Sequence, residues 1–472
     1  MTKIKYHIAG IGLIISSLFI LTFTSCSEDF PSNMESPNEV VLKSIKILNA
    51  GSDGKTVVEG IINENNKTVW FPRLDPNTDL TAIRFEAEMS TGAKLDKDSY
   101  LFEFEEGKDA KTIVIKVEND PRFREYFVTI RLNVPVYGAD FNKLEIYDYS
   151  GNDLGNPVYP SFVSNLTRGS GFDGEHVLIV TRAEGGSHLL KVEDLKKNEI
   201  KPIPLNLTNV SGGTFPVNVG GKIAGHSYIA NLSGLYGMKV YHWTDPGAVS
   251  DLIFNMDPAS IPGAGKRHGD NMSTNIDENG NGFIYFGDNL VTSIMRLTVS
   301  NFTTITEVKI LPTQPGVSFC MSMNRVEKTD DYLLTGYDAP ITVVNNSAAL
   351  LYAMDKNSVP LQGSDARIFN FNGERYLIMA TAPRYSGNAV LYIYDITKGS
   401  NTIEALRFFE EGDKKPIYQY SIGGGVNSSP ATNTGFHIIK DEKGKDKSLL
   451  IYAASNNAGF ALLEIPRKEL DE

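Results

Sequence analysis

Cysteine is nearly missing from this chain: 472 residues hold two, Cys26 and Cys320. Two thiols exclude a disulfide framework if either is otherwise engaged, and they exclude a zinc site of cysteine type, which needs several thiolates at fixed spacing. Basic residues are also short, with 45 Lys and Arg against 57 Asp and Glu and a formal net charge of −12. Nucleic-acid binding rests on neutralising phosphates with Lys and Arg, so this balance argues against it. No G-x-S-x-G elbow, H-E-x-x-H zinc helix, G-x-x-x-x-G-K-[ST] phosphate loop or S-x-D-x-G-x-x-W box occurs. Those motifs each carry a defined chemistry, so their absence leaves an enzyme unsupported and no cofactor or metal expected. The one long apolar run, Ile8 to Phe23, is interrupted by Gly10, Gly12, Ser16 and Ser17. It falls short of the about 20 residues that a spanning helix needs.

What is present begins with that run. Lys3 and Lys5 precede it, which is the order of an export signal, so residues 1–25 read as a segment that is removed. The tetrapeptide Phe23-Thr24-Ser25-Cys26 resembles a bacterial lipobox, with Phe23 where Leu is usual. The resemblance implies that Cys26 becomes the N-terminus and carries the lipid. Ser27-Glu28-Asp29 is similar to the acidic export signal of Bacteroidetes lipoproteins, which implies display on the outer leaflet of the outer membrane. Acyl chains contribute about 0.8 kcal/mol per buried CH₂, enough for several together to hold a soluble body at a membrane. Loss of Lys3 and Lys5 takes the formal charge from −12 to −14. Residues 26–39 are polar, with Pro31 and Pro37, and read as a flexible tether.

Residues 40–134 predict short strands at 42–48, 56–62, 68–74, 82–89, 100–104, 112–117 and 126–132. In "TIVIKV" and "YFVTIRL" apolar residues recur at every second position, which gives one face to a core and one to water. About seven strands separated by turn signals predict a β-sandwich. "LKSIKI", "FPRLDPNTDLTAIRFEAEMSTGAKL" and "KTIVIKVENDPRFREYFVTIRL" resemble the immunoglobulin-like or cadherin-like modules of bacterial surface proteins. That resemblance implies a spacer, with no site assigned to it.

After Pro135 glycine becomes frequent and a unit of turn, apolar strand, polar loop and second strand recurs. Copies start at Gly174, Gly225, Gly280, Asp330, Gly373 and Asp446, as in "GEHVLIVTRAEGGSHLLKVEDL" and "GERYLIMATAPRYSGNAVLYIYDI". Their spacing of roughly 45 to 75 residues suits a propeller whose blades carry loop insertions. The expectation is an all-β chain: the sandwich, then a six-bladed β-propeller over 138–466. An inner strand is expected before each copy, beginning at Ser161, Thr214, Arg267, Ser318, Asp365 and Asn427. The strand "KLEIYDY", 143–149, precedes the first copy without a partner and is expected to pair with 461–465. Such pairing would remove two exposed edges. An eighth strand of the sandwich is the alternative.

If the inner strands start there, their beginnings supply a channel mouth with Arg267, His268, Asp270, Asn271, Asp365, Arg367, Asn427 and Ser428. A concave place with a few convergent polar groups is where a ligand is expected, although propeller channels are also lined by merely solvated side chains. "DENGNG" at 277–282 matches the opening of a calcium loop, with Asp288 at its twelfth position, but a strand follows it and Asn-Gly favours a hairpin turn. The turn reading is preferred. Tyr241, His242 and Trp243 could stack on a sugar or pack between sheets, His226 and His242 make no metal pair on spacing alone, and Cys320 reads as a buried apolar residue.

Lipobox, acidic residues, immunoglobulin-like module and Gly-rich propeller in this order resemble outer-membrane lipoproteins of gut Bacteroidetes, many of them from glycan-uptake systems. The resemblance implies a surface lipoprotein that binds an extracellular ligand, most simply a glycan. A propeller hydrolase or lyase using Arg267, His268, Asp270 and Asp365, and an accessory subunit of an outer-membrane transporter, stay open beside it.

Overall fold

The computed structural model describes residues 38–470 apart from 106–107, 151–155, 158, 160–161, 163–165, 212–214, 235–236, 291, 315–316, 318–319, 386 and 425–426. The signal segment 1–25, the lipobox Cys26 and the tether up to residue 37 lie outside the described residues. Nearly every element is a strand, and the chain divides into two compact units, one ending at Pro135 and one beginning at Val136.

The first unit holds β1 (Leu42–Ala50), β2 (Thr56–Glu59), β3 (Ile61–Asn63), β4 (Thr68–Trp70), β5 (Phe85–Met89), β6 (Lys94–Leu95), β7 (Ala110–Asn119) and β8 (Arg122–Arg131). Two sheets result, ordered β2-β1-β5 and β3-β4-β8-β7-β6. Alternation chooses the faces: in β8, Tyr126, Val128 and Ile130 are buried while Phe127 between them is exposed. Ile45 and Ile47 of the first sheet share one core with Val69, Ile115 and Val117 of the second. The strand expected over 56–62 breaks into β2 and β3, which join different sheets. Gly60 sits at the break, where a Cβ would lie 2.8 Å from the Phe71 ring and 2.9 Å from Ile45, so the crossing needs a residue without a side chain. The strand expected over 100–104 is reduced to a single bridge between Ile83 and Tyr100.

The second unit opens with β9 (Glu145–Asp148) and continues in fours. The first sheet is β10 (Thr167–Phe172), β11 (His176–Thr181), β12 (His188–Lys191) and β13 (Ile203–Pro204), with the one-turn helix α1 (Val192–Leu195) after β12. Then come β14 (Val219–Ile223), β15 (His226–Ala230), β16 (Met238–Trp243) and β17 (Asp251–Met256). The third is β18 (Ser273–Ile276), β19 (Gly282–Gly287), β20 (Ser293–Ser300) and β21 (Thr304–Pro312). The fourth is β22 (Ser322–Arg325), β23 (Tyr332–Thr335), β24 (Thr342–Val344) and β25 (Leu350–Ala353). The fifth is β26 (Gly363–Phe371), β27 (Glu374–Thr381), β28 (Ala389–Asp395) and β29 (Tyr418–Gly423), with helix α2 (Thr402–Glu411) inserted before its last strand. The sixth joins β30 (Thr432–Lys440), β31 (Asp446–Ser455) and β32 (Gly459–Pro466) to β9 from the start of the unit. Residues 146 and 148 of β9 face Leu463 and Ala461 of β32 in antiparallel register.

Middle strands are buried on both faces, and the period of two assigns each face to a different neighbour. In β31, Leu449, Ile451 and Ala453 pack with the fifth sheet, whereas Leu450, Tyr452 and Ala454 pack with the first. Each such Leu or Ile contributes about 1.5–3 kcal/mol when fully buried. First strands contact one another in chain order, β10 with β14, β14 with β18, β18 with β22, β22 with β26 and β26 with β30, and β30 contacts β10.

Two first strands start later than the sequence predicts. Arg267 precedes its strand, which begins at Ser273, by six residues and Asn427 precedes Thr432 by five, while Asp365 lies inside β26; the expected starts at Ser161, Thr214 and Ser318 lie outside the described residues. These leading stretches carry Gly269 and Pro430, and their polar side chains tie loops. Asn427 Oδ1 accepts from Ser429 N at 2.9 Å, and Asn218 Nδ2 donates to Gly269 O at 2.6 Å.

Candidate functional site

All six first strands contribute to one cavity of 650 Å³, through residues 170–172 of β10, 220–223 of β14, 274–276 of β18, 324–325 of β22, 365 and 367 of β26, and 433–436 of β30. Small and amide side chains predominate there because the strands crowd one another. A Cβ on Gly169 would lie 2.6 Å from Gly220 N, and one on Gly171 2.4 Å from Lys222 N. Asn324 Oδ1 and Thr274 Oγ1, both from lining residues, are buried without a hydrogen-bond partner among the described residues.

The most buried charges of this cavity are paired. Lys222 Nζ lies 2.9 Å from Asp173 Oδ2, with side-chain exposures of 1% and 4%. Burial alone would raise the Asp173 carboxyl, but Lys222 and the N–H groups of His176 and Gly225 hold it below the usual carboxylate range. Arg367 Nε donates to Thr434 O at 2.9 Å, and its Nη2 is 3.9 Å from Asp365 Oδ2. Asp365 accepts from Thr434 N at 2.7 Å and from Asn324 Nδ2. Burial pushes this carboxyl above its ordinary value against the pull of Arg367 and those bonds.

Gly220, Met272, Asp365 and Asn433 also line a constriction of 30 Å³, about the share of one water in the liquid. Its far side shares Arg168, Asp270 and Cys320 with a third space of 370 Å³. The three form one passage, with a wide cavity at one end and a smaller mouth at the other. Arg267, Asn289, Leu290, Tyr337, Asp338, Arg384, Tyr385, Ser428 and Ser429 complete the smaller mouth.

The nominated residues are thereby divided rather than gathered. Arg267 and Asp270 meet at the smaller mouth, with Nε and Nη2 donating to Asp270 Oδ2 at 3.0 and 2.8 Å. Asp270, Asn271 and Asp365 border the constriction, and Arg367 faces the wide cavity. His268 lines none of the three spaces: it has no exposed surface, and neither ring nitrogen has a partner among the described residues. Asn427 is buried as a loop tie, while its neighbour Ser428 reaches the mouth. The separation follows from the late start of the strands, which leaves 267–271 and 427 in the loops ahead of them.

Other candidates resolve as packing. Asp277–Gly282 forms the β18–β19 hairpin turn, where Asp277 Oδ1 accepts from Asn279 N and Asn281 N at 2.9 Å. Asp288 is engaged elsewhere, accepting from Leu290 N and Thr292 N. Trp243 is 2% exposed, donates to Asn206 O at 3.1 Å and packs with Tyr241 between the first and second sheets. Cys320 is buried, its thiol is pushed up to about 12 by burial, and its sulphur donates to Pro430 O. A thiol so placed is no nucleophile. His226 and His242 do meet across β15 and β16, with Nδ1 of one 2.8 Å from Nε2 of the other. Sixteen residues separate them, and only strand register brings them together.

Sequence reasoning missed Arg168, Lys222, Arg384 and Tyr385. Arg384 and Tyr385 lie in the polar loop between the second and third strands of the fifth sheet, within "APRYSGN". Loops of that kind open on the same mouth as those before the first strands, and this was the available signal.

A family model described as a domain of unknown function, DUF4623, matches residues 28–468. The crystal structure of a DUF4623 family protein from Bacteroides eggerthii is similar with 41% identity and a TM-score of 0.78, covering 91% of this chain and 99% of that one. More distant is the WD40 β-propeller domain of Doa1, with 10% identity, a TM-score of 0.35, and coverage of 65% of this chain and 94% of that one. An α-L-arabinofuranosidase from Podospora anserina, in complex with cellotriose, stands at 10% identity and a TM-score of 0.32, covering 66% and 94%. Neither distant likeness bears on the chemistry of this chain. No curated protein matches it.

Proposed function

The chain belongs to the DUF4623 family, and on that footing we propose that it is a surface lipoprotein that binds an extracellular glycan in the passage through a six-bladed β-propeller. The propeller reading is supported by six four-stranded sheets whose first strands touch in sequence and return to the start. The immunoglobulin-like reading of 40–134 is supported by two sheets that share one core. Anchoring through lipid on Cys26 at the outer membrane is supported by the lipobox and the acidic residues behind it.

The observation that carries glycan binding is the 650 Å³ cavity on which all six first strands converge. Its size lies within the about 300–1,000 Å³ of ligand sites, and it offers amides, hydroxyls and paired charges rather than a nucleophile. Asn324 Oδ1 and Thr274 Oγ1 await donors, which sugar hydroxyls supply. Glycan-array and polysaccharide pull-down binding by the chain from residue 40 onward is the test. Retention of at least one glycan is expected, and no retention of any host or plant glycan overturns the reading.

A hydrolase or lyase is the second reading, favoured by one observation: Asp270 and Asp365 border the same constriction, and burial raises Asp365 as a general acid requires. Thirty cubic ångströms between them leave room for a water and not for a sugar ring, so binding is preferred. Turnover of an oligosaccharide pool that disappears in Asp270→Asn would reverse the preference.

A further inference from the structure

We propose that the smaller mouth of the passage is a separate subsite for a carboxylate-bearing sugar, such as a uronic acid residue; its sugar half rests on the glycan reading above. The first observation is charge. In a chain with 57 acids and 45 bases, this 370 Å³ mouth gathers Arg168, Arg267 and Arg384 against Asp270 and Asp338 among its described lining residues. Arg267 is satisfied by Asp270, at 2.8 Å, and Arg168, Arg384 and Asp338 line the same opening. Arg168 is held in place by its bond to Ser429 O at 2.7 Å. A preplaced guanidinium makes charge-assisted bonds to a carboxylate in a geometry that no neutral hydroxyl reproduces.

The second observation is apolar and independent of the first. Tyr385 and Leu290, 71% and 70% exposed, are the two most exposed large apolar side chains among the described residues, and both stand on the rim of this mouth. Single exposed apolar side chains are ordinary, but these two stand together on one rim. Tyr385 is braced edge-on by the buried Tyr337, with ring centroids 6.1 Å apart, and the Arg384 guanidinium carbon lies 5.3 Å from its centroid. One face of a pyranose is a row of C–H groups that packs on such a ring, while its carboxylate turns to the arginines and its hydroxyls to Asp338. An aromatic face beside guanidinium groups at a mouth sized for one or two sugar rings suits that ligand better than an extended peptide of Asp and Glu, which brings no ring of C–H groups to the tyrosine.

The experiment is titration calorimetry on the full-length chain in mild detergent. The probes are hexuronic acid oligomers, sialylated oligosaccharides, the carboxyl-reduced counterpart of each, and poly-glutamate. Acidic oligosaccharides are expected to bind, with about tenfold or greater loss on carboxyl reduction. A similar loss is expected in Tyr385→Ala and in Arg384→Gln, with melting temperatures within the spread of the unsubstituted protein, since both side chains sit on the rim. Equal binding of the carboxyl-reduced sugars, or insensitivity to both substitutions, overturns this subsite and leaves the glycan reading standing. Poly-glutamate bound as tightly as the sugars overturns the sugar class. Absence of binding to every glycan, acidic or neutral, overturns both readings together.

Discussion

At the scale of single residues, burial governs the histidines. Five of the seven histidines, His176, His188, His226, His242 and His268, are held below the ordinary imidazole value, in each case first by burial. They resist protonation in the folded chain, whereas in the unfolded chain they take up protons near the usual pKa of about 6.5. Their contribution to stability is therefore complete above that value and is lost as pH falls below it. The melting temperature should fall between about pH 7 and pH 5, before Asp173 and Asp288 begin to titrate; burial raises both, but Lys222 and hydrogen bonds hold Asp173 low and hydrogen bonds hold Asp288 low. Thermal melts across that range decide the point, and a flat profile refutes it. Arg267 and Asp270 were legible as neighbours because three residues separate them in one loop. Tyr385 and Leu290 were not, since exposure is a property of what fails to pack over a side chain.

At the scale of elements, patterning named the second and third strands of every sheet and missed where the first begins. Middle strands are dense apolar runs because both faces are covered, and turns bracket them. First strands line a passage, so the positions at it carry many Gly, Ser, Thr and Asn, and their beginnings lack the apolar signature of the middle strands. Their closeness is nevertheless a strict requirement. A methyl group at Gly169 would sit 2.6 Å from both Gly220 N and Val219 Cα, which are backbone atoms that cannot rotate aside. Gly169→Ala should separate β10 from β14 and lower stability by about 1–3 kcal/mol, the usual cost of overpacking. Urea unfolding gives the value, and a change of a few tenths would mean that the strands can part freely. Gly185, whose surroundings are open within 4 Å, has a φ of +92° and tests backbone strain alone when changed to Ala.

At the scale of the whole molecule, the sixth sheet depends on chain from the start of its unit. β9 supplies the strand beside β32, and Ile146 packs with the core that Leu449, Ile451 and Leu463 share with the fifth sheet. Without β9, β32 becomes a bare edge and that core opens to water. A chain beginning at residue 150 should lose cooperative unfolding and associate, while one beginning at 136 should unfold in a single transition. Calorimetry and light scattering on the two chains distinguish them. A cooperative, monomeric 150–472 chain would show that β9 is dispensable.

The sequence by itself determined the class of the chain, the repeating pair of strands and the partner that 143–149 would seek, because period-two alternation and turn residues are local properties written in consecutive positions. Only the tertiary structure decided which polar side chains share a space. The starts of the first strands, the split of Arg267 and Asp270 from Arg367, and the meeting of Arg168 with Arg384 and Tyr385 depend on how six sheets pack against one another. That packing includes contacts between residues 261 positions apart, as between Arg168 and Ser429, and no local pattern encodes them.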